Sequence, residues 1–169
     1  MFQLRNVALK RPRSLFWPNL KLRLFAFFKV PVLFFVKPTI AELSLDRAVI
    51  QIGLTRKTRN HYRSMYFGVL AAGADVAAGI LAMEHISASK TKIGILFKSF
   101  RAEFLKRAES DVFFICEDGK VISKMVAATI STGERQNAEV KVRGVVKNLS
   151  GPETVAEFVL TLSLKKASQ

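Results

Sequence analysis

Cysteine, histidine and acidic residues are the scarce side chains of this sequence, and each scarcity closes off a class of function. A single cysteine, Cys116, excludes an internal disulfide and a thiolate zinc cluster. Two histidines leave few ligands for a metal site, so neither a metal nor a resident cofactor is expected. A reducing, cytoplasmic setting fits this usage. Acids are missing altogether from residues 1–41, which carry eight basic residues: Arg5, Lys10, Arg11, Arg13, Lys21, Arg23, Lys29 and Lys37. Repeats and low-complexity tracts are also absent. So is an unbroken N-terminal apolar run: "LRLFAFFKVPVLFFVKP" is interrupted by Lys29 and Pro31 and ended by Lys37-Pro38, short of the roughly 20 residues that a membrane span needs. "FVKPTIAEL" offers no clean signal-peptide cleavage site, and scarce serine and the arginine spacing weaken a transit-peptide reading. The expectation is a short amphipathic or wholly apolar helix packed on the domain. Interfacial membrane contact is the second reading and cleaved targeting the third.

What is present fits one domain of 169 residues, half of them apolar. The segment 1–39 is read as a basic N-terminal part and 40–169 as the domain proper. Lysine and arginine number 27 against 13 acids, a net +14 of which residues 1–41 supply +8. Such asymmetry suits an anionic partner: a lipid surface, a nucleic acid or a phosphorylated cofactor. Nucleic acid is disfavoured, because the aromatics lie in apolar runs and no motif interleaves them with Lys or Arg. An anionic membrane surface stays open, and with it a location peripheral to the membrane.

From residue 42 the patterning is regular. Ala48, Ile50, Ile52 and Leu54 alternate as in a strand with one buried face. Residues 66–86 run without proline as a long apolar helix. "SFRAEFLKR" sets Phe100, Ala102 and Phe104 on one face of a strand, and "DVFFICEDG" reads as a strand closing on a turn at Asp118-Gly119. A second helix is expected through Val121, Met125 and Ala128, stopping at Gly133. Two strands follow, with Val140, Val142, Gly144 and Val146 on one face of the first and Phe158, Leu160, Leu162 and Leu164 on one face of the second. Four strands after the long helix, without regular helical crossovers, make an α+β fold whose antiparallel sheet wraps a helix.

Between residues 59 and 79 one carboxylate, Asp75, is set among Ala71, Ala72, Ala78 and Gly79 at i±3 and i±4. Gly68, Gly73 and Gly79 each cost roughly 1 kcal/mol relative to alanine in a helix interior, which suggests close approach by a backbone, a partner or a ligand. An unpaired buried carboxylate is costlier still. Asp75 therefore either bonds a neighbouring backbone group or does chemistry.

The stretch "NHYRSMYFGVLAAGAD" resembles the core motif of hotdog-fold thioesterases of the phenylacetyl-CoA thioesterase type, N-x-x-G-x-x-H-G-G followed by six residues and D. Asn60, Gly68 and Asp75 fall on the motif asparagine, last glycine and aspartate, with every spacing kept. Arg63, Tyr66 and Phe67 stand where the pattern has glycine, histidine and glycine. With "FLKRAESDVFFICEDG" included, the chain resembles more closely an uncharacterised hotdog branch known as a domain of unknown function. The resemblance covers about residues 40–165.

It implies a hotdog fold and hydrolysis of acyl-CoA thioesters, coenzyme A entering as part of the substrate. Asp75 would be nucleophile or general base, Asn60 would place the water, and the Phe67 N–H, beside Gly68, would polarise the carbonyl at the helix N-terminus. Phe67 and Asp75 are eight residues apart, about 12 Å at the helical rise, so one chain cannot bring both to one carbonyl. The resemblance implies a homodimer or dimer of dimers, each site drawing on two chains, with the Ala71 and Gly79 face meeting the acyl chain. The aromatics Tyr66 and Phe67 leave a second reading, a binding protein for acyl or lipid ligands without activity. Tyr66 either donates to substrate or packs. Arg56, Lys57, Arg59 and Arg63 are either a solvated loop or a grip on coenzyme A phosphates. His61 is read as a turn residue and Cys116 as core.

Overall fold

The computed structural model describes residues 14–167. Its elements run α1 (Phe16–Lys29), α2 (Pro31–Val36), β1 (Thr39–Leu43), β2 (Ala48–Ile52), α3 (Phe67–Ser89), β3 (Ile93–Phe104), β4 (Val112–Cys116), α4 (Gly119–Thr132), β5 (Gln136–Asn148) and β6 (Gly151–Lys166). The strands form one sheet in the order β1-β2-β4-β5-β6-β3, every neighbouring pair antiparallel.

The period of two in the sequence is the period of the core. Ile50 pairs with Phe114, Phe114 with Gly144, and Val142 with Phe158 across β2, β4, β5 and β6. Their side chains, together with Leu160, Leu162 and Leu164, are buried on the face turned to α3. By length and apolarity α3 is sufficient to cross a membrane, yet the sheet wraps it, and nine of its residues from Val69 to Ala82 are buried. Gly73 explains how the sheet comes so close: a Cβ there would overlap the edge of the Phe114 ring. The helix runs on to Ser89, past the expected Ile86, and ends on Lys90 in the left-handed conformation.

Three features differ from the sequence reading. The strand expected around Phe100 begins at Ile93 and is 12 residues long. β1 was not anticipated; its register slips between Ile40 and Glu42, which blurs the alternation in five residues. Asp118-Gly119 is not a separate turn but the start of α4, the Ile122 N–H bonding the Asp118 carbonyl at 3.1 Å. Gly119 presses on the Leu45 carbonyl so closely that no Cβ fits. The expected stop at Gly133 holds, with φ 71° and its N–H on the Thr129 carbonyl.

The N-terminal apolar run is two helices, broken at Val30-Pro31 and ended at Lys37, which is left-handed before Pro38. Leu22, Ala26, Leu33 and Val36 join the main core. Asn19 ties α1 to the outer edge of β1: its Nδ2 donates to the Ile40 carbonyl (3.1 Å) and its Oδ1 accepts the Ile40 N–H (2.8 Å). An amide side chain thus stands in for a neighbouring strand.

Candidate functional site

The loop between β2 and α3 is braced by short side chains. Thr58, buried, donates from Oγ1 to the Gly53 carbonyl (2.7 Å) and accepts the Thr55 N–H (2.8 Å). The Oδ1 of Asn60 accepts the N–H of Tyr62 (2.9 Å) and of Ser64 (3.2 Å), and its Nδ2 donates to Ser64 Oγ (3.1 Å). Its amide is spent on an Asx turn. Arg63 has φ 63°, so the position where the resembling pattern has glycine does take a left-handed backbone, at a cost on the order of 1 kcal/mol for arginine. The Met65 N–H on the Ala108 carbonyl (2.8 Å) and the Tyr66 N–H on the Thr58 carbonyl (2.9 Å) then deliver the chain to α3.

Tyr66 precedes the helix in an extended conformation with no side-chain cap, and its carbonyl accepts the N–H groups of Val69 (2.9 Å) and Leu70 (3.1 Å). The Phe67 and Gly68 N–H groups find no backbone acceptor among the described residues, the normal state of a helix start and one suited to an incoming oxygen. Exposed aromatics surround them. The Tyr66 and Phe67 rings are 4.7 Å apart, and Phe67 meets Phe104 of β3 edge-on at 6.4 Å. The Tyr66 ring lies over Gly68, where a Cβ would come within 2.6 Å of it.

Two turns further along, Asp75 is partly buried. Among the described residues no hydrogen bond or salt bridge engages its carboxylate, and burial pushes its pKa above the ordinary aspartate value. The alternative that Asp75 bonds a neighbouring backbone group is therefore not what the structure contains. The carboxylate lines a groove of about 420 Å³. Gly79 and Met83 of α3, Trp17 and Phe25 of α1, and Phe97 of β3 share that lining. Ala71 lies one turn before Asp75 on the same side of the helix, partly buried. The three glycines thus have different reasons. Gly68 and Gly73 admit aromatic rings, whereas a Cβ on Gly79 would meet only Phe97 Cζ at 4.0 Å, so Gly79 leaves space.

The structure brings Asp75 and Gly79 to one groove and Asn60, Tyr66, Phe67 and Gly68 to the start of α3. It does not bring these two groups together within one chain. Arg56, Lys57, Arg59 and Arg63 are exposed on the braced loop and form no salt bridge among the described residues. Lys57 Nζ stands 5.3 Å over the Phe35 ring of α2. His61 is an exposed loop residue with its ring 4.0 Å from Tyr62. Cys116 is fully buried, and burial pushes its thiol up to about 11, as befits a core residue. Trp17, Phe25, Met83 and Phe97 were not singled out from sequence. Plain alternation hides Phe97, which is an odd number of residues from Phe100; the shift in register between Phe97 and Ser99 brings it onto the same face, the two pairing with Leu162 and Leu160.

A six-stranded antiparallel sheet wrapped around one long helix defines the hotdog class. Solved structures agree. A protein of unknown function from Chlorobaculum tepidum matches with a TM-score of 0.75 at 12% identity, over 89% of this chain and 95% of the other. A thioesterase family protein from Silicibacter pomeroyi gives 0.64 at 17% identity, over 88% and 99%. A mutant thioesterase from Pseudomonas aeruginosa gives 0.66 at 10% identity, over 94% and 97%. At these identities the likeness shows the fold. No curated protein matches the sequence. Within the hotdog class the chain belongs to the family described as Domain of unknown function (DUF4442), whose model matches residues 20–163.

Proposed function

We propose that the protein hydrolyses acyl-CoA thioesters as a homodimer, with Asp75 as nucleophile or general base and the Phe67 N–H as the group that polarises the carbonyl. The observation that carries this reading is the unpartnered, partly buried Asp75 carboxylate in a largely apolar groove, to which Lys21 and Glu84 also contribute. A residue kept at that cost, with no structural bond to hold, is a candidate for chemistry. That several structural relatives are thioesterases supports the reaction class.

The edge strand supports the dimer. Among the described residues β3 pairs only with β6, and its helix-side residues Phe100 and Phe104 are exposed although large and apolar. Such an edge is a template for a second copy. β3 runs counter to α3, with Phe104 beside Phe67 and Phe97 beside Gly79. Twofold pairing of β3 centred near Phe100 and Arg101 would set the Phe67 end of one subunit against Asp75 of the partner subunit. That is the meeting which eight residues of helix forbid within one chain. Arg56, Arg59 and Arg63, beside the same helix start, would take the coenzyme A phosphates, and Gly79 and Ala71 the acyl chain.

One observation favours the second reading, a non-catalytic binder of acyl groups. The Asn60 amide is committed to its turn, so a water placed by Asn60 requires that turn to loosen. Thiol release across short to long acyl-CoA substrates decides between the two. The enzyme gives sustained turnover that Asp75→Asn lowers by about 10²–10⁴-fold. The binder gives stoichiometric association, no thiol, and no difference between parent and variant.

A further inference from the structure

We propose that α1 and α2 form a docking face for a bilayer rich in anionic lipids. The inference concerns how the protein is placed and does not depend on hydrolysis.

A helix on the surface of a domain normally turns apolar residues inward and polar ones outward. α1 does not. Its inward side is Leu22 and Ala26, while Trp17, Leu24 and Phe28, at i, i+7 and i+11, line the opposite side. Trp17 is 64% exposed and Phe28 71%. Eight of the twenty exposed large apolar residues of the described chain lie between Phe16 and Phe35. Such a contiguous patch marks a contact surface.

Charge selects the occupant. Lys21, Arg23, Lys29 and Lys37 accompany the patch, and no acid occurs before Glu42. Lys57 on the neighbouring loop, over Phe35, extends the basic rim towards Arg56 and Arg59. A second copy on this face would bring the basic α1 and α2 of both chains together, with only Asp75 and Glu84 at the edge of the groove to offset them, a net repulsive arrangement. Anionic headgroups with acyl chains beneath satisfy both features, with Lys and Arg stems reaching up to the phosphates and Trp and Phe rings lying at the interface. At 14 residues, about 21 Å, α1 is too short to span the roughly 30 Å hydrocarbon layer. It would lie in the interface. Trp17 and Phe25 also wall the Asp75 groove, so docking would set that groove beside the lipid surface.

Trp17 is the sole tryptophan and reports directly. The full chain is mixed with phosphatidylcholine vesicles, with and without phosphatidylglycerol, while tryptophan emission and its quenching by brominated lipid are followed. Expected is a blue shift with quenching on the phosphatidylglycerol vesicles. Phe28→Glu should weaken partitioning on the order of ten- to a hundred-fold, and Lys21→Gln about fivefold on the anionic vesicles but not on neutral ones. Because Phe28 and Lys21 face solvent, the melting temperature and the emission in buffer should match the parent, which separates lost docking from lost folding. No shift on either vesicle, or equal partitioning of parent and Phe28→Glu, overturns the proposal. So does emission already shielded in buffer that reddens on dilution, which would mean that a second copy covers the face.

Discussion

α1 and α3 are both apolar helices without a regular polar face, yet one lies inside the fold and the other on it. α3 buries nine residues and sets Asp75 and Glu84 along a groove; α1 buries two. The difference lies in what surrounds them. Four strands present Ile50, Phe114, Val142 and Leu162 to α3, whereas α1 rests on one side against the core and has its other side open. Apolar composition therefore says that a helix needs cover, and only the sheet order says whether this chain supplies it.

The comparison is sharpest for leucine. Leu81 in α3 is fully buried and Leu24 in α1 is 49% exposed. Leu81→Ala should cost about 2–5 kcal/mol in denaturant unfolding, while Leu24→Ala should change stability by less than about 0.5 kcal/mol. Equal losses would break the contrast.

Glycines of α3 divide in the same way on a smaller scale. Gly73→Ala should cost about 1–3 kcal/mol, because the Phe114 ring must move to admit the methyl group. Gly79→Ala should instead stabilise by up to about 1 kcal/mol through helix propensity, its Cβ meeting only Phe97 Cζ at 4.0 Å. Thermal melts of the two variants should move in opposite directions; a shared direction would mean that Gly79 is packed and not open.

Asp75 supplies a pH signature. Its folded-state pKa is raised by burial, so its contribution is most favourable when protonated and is lost as pH rises through the folded value. Asp75→Asn should be more stable than the parent near neutral pH, and the gap should close below about pH 4, where the parent is protonated in both states. A gap that widens on acidification would mean a carboxylate stabilised by a partner.

The core was legible because it obeys local periods: alternation gave the faces of β2, β5 and β6, and a proline-free apolar run gave α3. Asp75 stood out as a lone acid among small residues. The groove did not, since its walls join Trp17 and Phe25 to Gly79 and Phe97 across more than fifty residues of chain. The commitment of the Asn60 amide was within reach, in the short-range spacing of Asn60 and Ser64, but a motif asparagine invites a catalytic reading before a turn. The left-handed backbone at Arg63 was hidden by a residue type that rarely adopts it.

The central proposal is that one site is built from two chains, and a purified mixed dimer tests it most directly. Asp75→Asn removes the carboxylate. Phe67→Pro removes the backbone N–H, at the first helical position where proline is tolerated and after a Tyr66 already extended at ψ 137°. It also removes the ring that meets Tyr66 and Phe104, so Phe67→Ala, which keeps the N–H, is the control and should stay active. Co-expressed with different tags, the two variants form a dimer with one intact site and one doubly impaired. The account predicts poor acyl-CoA hydrolysis by either variant alone and about half the parental rate from the mixed dimer. A mixed dimer no faster than the two variants, or Phe67→Pro alone at the parental rate, would contradict it.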